Sequence, residues 1–167
     1  KTVNEIGNFD GRVPELPFRE KIADLYAKFN QPEEALKEYL LLVQKDNTNP
    51  NYYFKAGKLF EQRGKGNRAV AYYKKALDYD PSHDEAHMRM GTLLYRAKRP
   101  AEAKSLLEKA VKFQPDNYEA HFYLGKIAKE NKDYRGAISA FEKSVKSQEF
   151  KARSLMERGV CYIKLND

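Results

Sequence analysis

His83 and His87, in the stretch HDEAH, stand four residues apart and could share one face of a helix as metal ligands. Zinc hydrolases of this type need H-E-x-x-H, with the general-base glutamate directly after the first histidine. Here Asp84 takes that place and Glu85 is displaced by one. His87 and His121 also recur 34 residues apart, which is a packing period and not a ligand spacing. No metal site follows. Gly64-Lys65-Gly66 offers a faint echo of a phosphate loop but lacks the Gly-Lys-Ser/Thr ending that would reach a nucleotide and its magnesium. Cys161 is the only cysteine, so an internal disulfide is impossible, and a core position makes a reactive thiol the weaker reading. Carboxylates are plentiful, yet none pairs with a nucleophile or a base. The residue types give no catalytic set and no cofactor, and binding is the chemistry left.

The spacing that organises the chain belongs to small residues. Gly57, Gly91, Gly125 and Gly159 are separated by 34 residues each. Ala69, Ala103 and Ala137 follow the first three at a constant offset, as do Ala76, Ala110 and Ser144 further on. Pro81 and Pro115 keep the same step. Upstream, Ala23 falls in the glycine column and Ala35 in the first alanine column. A fixed period of this length marks a repeat architecture. The register gives repeats 16–49, 50–83, 84–117 and 118–151, with the first helix of a fifth over 152–167.

Each repeat reads as two helices. Residues 118–131 place Phe122, Leu124, Ile127 and Ala128 at helical spacing, and the segment from Tyr134 to Ser147 does so with Ala137, Ile138, Phe141 and Val145. Between them Asp133 is a good N-cap, and Asn49-Pro50 opens repeat 2 with a cap followed by proline at the first helical position. A glycine inside a helix costs about 0.5–1 kcal/mol against alanine. Its recurrence predicts close approach of the partner helix at a notch made by the alanine columns. Tyr26, Phe60, Leu94, Tyr73, Leu107 and Phe141 would interlock around that contact.

These residues resemble the tetratricopeptide repeat family over 16–167. LGKIAKENKDYRGAISAFEKSV (124–145) is very close to the family pattern, and MGTLLYRAKRPAEAKSLLEKAVKFQPDN (90–117) nearly so. Departures are the fourth repeat position, where Tyr53, His87, His121 and Leu155 replace the frequent tryptophan, and repeat 1, with Ala23 for glycine and no proline at 47. The resemblance implies an all-α, right-handed α-solenoid of stacked antiparallel helix pairs whose first helices line a concave, protein-binding groove. The sixth and ninth repeat positions would then hold Lys21, Asp24, Lys55, Lys58, Arg89, Thr92, Tyr123 and Lys126. Asn51, at a second position, and Phe54, Met88 and Phe122, at fifth positions, would flank them, the last three as an apolar strip. Members that clamp a chaperone-tail carboxylate need Lys, Asn, Asn, Lys and Arg. From repeat 2 those positions hold Phe54, Lys58, Arg89, Glu119 and Tyr123, and starts at repeats 1 and 3 fail likewise, so this is not such a clamp.

The bulk composition agrees. Of 167 residues 41% are apolar and 33% charged, and 12 Tyr with 9 Phe give more bulky apolar surface than a disordered chain carries. The formal charge of +7 favours acidic partners, or serves solubility alone. No run of 18 apolar residues and no signal segment occurs, so no membrane span is expected. The lone cysteine is compatible with a cytoplasmic or other reducing compartment and does not fix one.

The leading expectation is therefore a scaffold or adaptor module that binds other proteins through an acidic or acidic-hydrophobic segment, as part of a larger assembly. Two alternatives stand beside it: a regulatory module of a longer multidomain protein, and a basic surface for single-stranded nucleic acid. Residues 1–15 read as a linker or edge-packing segment. By register Asn166 and Asp167 fall in an inter-helix turn, and an unpartnered last helix would expose Leu155, Val160 and Ile163. The expectation is that the native chain continues, with self-association through open repeat ends also open.

Overall fold

The computed structural model describes residues 15–166, which hold nine α-helices and no strand. They are α1 Glu15–Lys28, α2 Pro32–Lys45, α3 Pro50–Gln62, α4 Gly66–Tyr79, α5 Asp84–Arg96, α6 Pro100–Phe113, α7 Tyr118–Glu130, α8 Tyr134–Ser144 and α9 Gln148–Asn166. The 1–15 segment of the sequence reading lies outside the described residues except for Glu15, which opens α1. The chain divides after Tyr79 into two compact units. In the first, the hairpins α1–α2 and α3–α4 join through α2 against α3. In the second, the hairpins α5–α6 and α7–α8 join through α6 against α7, and α9 packs on α8 and α7.

Local sequence sets the helix ends. Pro32, Pro50 and Pro100 open α2, α3 and α6, where a missing N–H costs nothing. Asn49, Asn117 and Asp133 accept hydrogen bonds from the backbone N–H groups of Asn51, Ala120 and Gly136. His83 does the same for Ala86 through Nδ1 at 3.4 Å, so it caps α5. Four hairpin turns close in register. Asn30, Gly64, Lys98 and Lys132, each 34 residues from the next, sit at φ 56°, 68°, 62° and 63°. Behind each, the next residue's N–H reaches five residues back, as in Arg99 to Leu94 and Asp133 to Ala128, both at 2.9 Å. This is the Schellman end that a left-handed residue permits.

The glycine columns do permit close packing, with a different partner from the one the spacing predicts. A Cβ added at Gly57 would lie 2.7 Å from the Tyr73 ring, at Gly91 2.8 Å from Leu107 Cγ, and at Gly125 2.7 Å from the Phe141 ring. Each glycine is thus roofed by the one large side chain that stands between two alanine columns. Ala23, Ala35, Ala69, Ala76, Ala103, Ala110 and Ala137 are fully buried alongside. Gly159 differs, for no heavy atom of the described residues lies within 4 Å of its Cβ position.

Three boundaries depart from the sequence reading. The second helix of repeat 4 ends at Ser144, not Ser147, and α9 begins at Gln148, before position 152. Asn166 is helical and not in a turn; Asp167 lies outside the described residues. Leu155, Val160 and Ile163 on α9 are exposed, as the register implied. The column of Cys161 is buried at Leu59 and Ile127, but Leu25 is 51% exposed, so repeat 1 breaks that core stripe.

Candidate partner-binding surfaces

In the first unit, α1 and α3 place their sixth and ninth positions side by side. Lys55 Nζ lies 2.9 Å from Glu20 Oε1 and 3.0 Å from Asp24 Oδ2, tying α3 to α1. It also stands 5.4 Å over the ring of Tyr39, whose hydroxyl donates to Asp24 Oδ1. Burial alone would lower the Lys55 pKa, but the hydrogen bonds to Glu20 and Asp24 outweigh it and raise it above lysine's ordinary value. Burial and then the Asp24 carboxylate push the Tyr39 hydroxyl far up, so it stays a proton donor. Beside them opens a cleft of about 200 Å³ lined by Asp24, Ala27, Tyr39, Lys55, Lys58, Leu59 and Gln62. Lys58 Nζ is 5.5 Å over the Phe54 ring. Lys21 and Asn51 are exposed outside this cluster, and the Asn51 N–H serves the Asn49 cap.

In the second unit the corresponding positions are also internally paired. Arg89 Nε lies 3.0 Å from Glu85 Oε1. Lys126 Nζ lies 2.8 Å from Glu157 Oε1, and Lys129 holds the other oxygen of the same carboxylate. Desolvation would raise the Glu157 pKa, but the two ammonium groups hold it below its ordinary value. Thr92 is buried, its hydroxyl donating to Met88 Sδ at 3.8 Å. The Tyr123 hydroxyl accepts from Arg96 Nη2 at 3.1 Å.

The apolar strip expected beside the basic line is not on the surface. Phe54, Met88 and Phe122 are buried. The Phe54 ring packs 5.7 Å from Tyr73, and Phe122 lies 5.9 Å from Phe141 and 5.3 Å from Phe150. Their physical task is to fill space between first and second helices.

The sequence reading gives Glu20, Tyr39 and Glu157 no part in the groove. A signal for their role exists. Asp24 to Lys55 and Lys126 to Glu157 are both spaced by 31 residues, a ninth position followed by the next sixth. Opposite charges at that step meet across adjacent first helices.

His87 and His121 are packing residues. Each Nε2 faces a backbone carbonyl, Pro81 O at 2.9 Å and Pro115 O at 2.8 Å. Among the described residues no group of three or more His, Cys, Asp or Glu could hold a metal ion, and no helix is long and apolar enough to cross a membrane.

No curated protein matches the chain. Solved structures share its fold. One is described as "Crystal structure of MamA protein", 21% identical over 90% of this chain and 82% of that one, with a TM-score of 0.80. A second is "MamA 41-end from Desulfovibrio magneticus RS-1", 22% identical over 93% and 88%, at 0.81. A third is "YrrB: a TPR protein with an unusual peptide-binding site", 23% identical over 89% and 76%, at 0.77. A family model for the tetratricopeptide repeat matches residues 61–124 and 94–159, more than half of the chain. With its 34-residue helix hairpins forming an all-α solenoid fold, the chain belongs to the tetratricopeptide repeat family, whose fold is a protein–protein interaction module.

Proposed function

We propose that this module binds an acidic or acidic-hydrophobic segment of a partner protein by carboxylate exchange at the Lys55 cleft, as part of a larger assembly. The observation that carries the reading is the position of Lys55. Its ammonium is oriented by Glu20, Asp24 and the Tyr39 ring, and it lines an open cleft beside Lys58. The Asp24 side chain is 53% exposed, so a partner's carboxylate can displace it. An exposed ion pair contributes only about 0–1 kcal/mol, so the exchange costs little. The same exchange at Glu157 is harder, because its side chain is only 12% exposed and answers two lysines. The cleft of the first unit is therefore the primary site, and the formal charge of +7 draws acidic chains toward it. Ala27, exposed at the same cleft, supplies apolar contact for the hydrophobic residues of such a segment.

The test is a titration of a labelled peptide of alternating Glu and Leu against the chain and its Lys55→Gln/Lys58→Gln variant. The native chain should bind in a salt-sensitive way, and the variant about tenfold more weakly. Equal binding by both would overturn the reading. Salt-steep binding of single-stranded RNA, absent with the peptide, would replace it with nucleic-acid recognition.

A further inference from the structure

On the second unit an exposed ring is held in place by a buried one. Phe113, the last residue of α6, is 42% exposed, and its ring lies 5.9 Å from that of His87 at an interplanar angle of 20°. His87 is itself fixed on Pro81 O at 2.9 Å. Both α5 and α7 pack on α6, so the ring is exposed on a helix already covered on two sides. The part of Phe113 left in water contributes nothing to folding. The first unit builds the same stack on its own. Tyr79, the last residue of α4, is 43% exposed and lies 5.7 Å from Tyr53 at 18°.

Unanswered cations stand on the same edge as Phe113. Lys109 lies one turn before it and Lys112 beside it, and Lys143 and Lys146 repeat the two 34 residues on. All four are exposed, and none makes an ion pair among the described residues. Lys109 is close enough to His87, and Lys143 and Lys146 to His121, to disfavour the protonated rings. Those histidines sit on α5 and α7, which touch, so the four ammonium groups share one edge of this unit. The acids felt at the same rings are Asp80, bonded to Ser82, and Asp116. Helix C-termini favour Lys112 and Lys143, in the last turns of α6 and α8. They account neither for Lys109, a turn earlier, nor for the exposed ring.

A fixed aromatic face beside unanswered cations is what holds a single strand, bases on the ring and phosphates on the charges. An acidic peptide answers the charges but offers no flat face to the ring, and a duplex keeps its bases stacked. We propose that this edge binds single-stranded nucleic acid, an unpaired base stacking on Phe113 and the flanking phosphates answering Lys109, Lys112, Lys143 and Lys146. Stacking reads no base edge, so the binding tolerates any sequence. The Lys55 cleft takes no part in it.

The probe is a fluorescein-labelled oligo-dT of about 12 nucleotides, titrated with the full chain at several salt concentrations. Binding should saturate and weaken steeply with salt. Phe113→Ala should weaken it about tenfold with the salt slope unchanged, and Phe113→Tyr should restore it. Lys109→Gln/Lys112→Gln/Lys143→Gln/Lys146→Gln should lower the log–log salt slope by about 3, at roughly 0.7 per phosphate contact. All five side chains are exposed, so circular dichroism should show the fold retained in each variant. Lys55→Gln/Lys58→Gln should bind the oligonucleotide as the native chain does. Absence of saturable binding, or a Phe113→Ala variant equal to the native chain, overturns the proposal. Loss of binding in Lys55→Gln/Lys58→Gln would move the strand to that cleft and overturns it as well. Phe113-dependent binding of phosphatidylserine vesicles without any of the oligonucleotide would give the edge to lipid, a third way for it to fail.

Discussion

The hydroxyls of Ser144 and Ser154 meet at 2.7 Å between α8 and α9, and both side chains are fully buried. Ser144 Oγ donates to the Phe141 carbonyl at 3.0 Å, so the proton between the two serines comes from Ser154. In earlier repeats both columns hold alanine at Ala110 and Ala120. A pair of apolar contacts has become a pair of matched polar ones.

Matched pairs are lost asymmetrically. Ser144→Ala leaves the Ser154 hydroxyl buried without an acceptor and should cost about 1–3 kcal/mol. Ser154→Ala should cost about 1 kcal/mol. The double variant restores the alanine pair of earlier repeats and should cost less than the sum by about 0.5–1.5 kcal/mol. Urea unfolding of the four proteins measures this coupling, and additive effects would show the hydroxyls to be independent.

The glycine column should divide by repeat. Gly125→Ala forces a Cβ to within 2.9 Å of three Phe141 ring atoms and should lose about 1–3 kcal/mol. Gly91→Leu should lose at least as much against Leu107. Gly159→Ala meets no atom of the described residues within 4 Å and should gain about 0.5–1 kcal/mol through helix propensity alone. Thermal melts of the three variants give the signs, and loss of stability in Gly159→Ala would mean its notch is already filled.

Much of this fold was legible because glycine, alanine and proline answer to backbone geometry, which repeats strictly. The period, the hairpins and the caps at Asn49 and Asp133 follow from it. Side chains that reach across repeats were not legible in the same way. Lys55 and Lys126 counted as basic groove positions, but their charge is answered by Asp24 and Glu157 on neighbouring helices. Phe54 and Phe122 satisfied a groove position by number, while ring size drew them into the core. A one-dimensional tally of charge misses such pairs unless the step of 31 is inspected. Arg19 shows the same limit: it is 6% exposed and ion-paired to Glu38 at 3.1 Å, in the column that elsewhere holds Tyr53 and His87.

That fourth-position column makes the last prediction. Tyr53 donates its hydroxyl to Asn47 O at 3.0 Å, and His87 and His121 face Pro81 O and Pro115 O, in each case six residues back. A carbonyl only accepts, so both histidines carry their proton on Nε2. His87 Nδ1 is buried with no hydrogen-bond partner among the described residues, and a second proton there would be a stranded donor. Burial lowers both pKa values, outweighing the proline carbonyls that raise them. The unfolded chain therefore takes up protons first as pH falls. Stability from these rings is complete above the unfolded value of about 6.5 and drains away as pH drops through the lower folded values. Glu157, held below its ordinary pKa, loses its contribution only in a more acidic range. His87→Tyr/His121→Tyr should keep the carbonyl bonds, as Tyr53 does, while removing the titration. Urea midpoints should then match the native chain near pH 8 and stay flatter between about pH 6.5 and 5. Parallel pH profiles for the two proteins would place the acid sensitivity elsewhere.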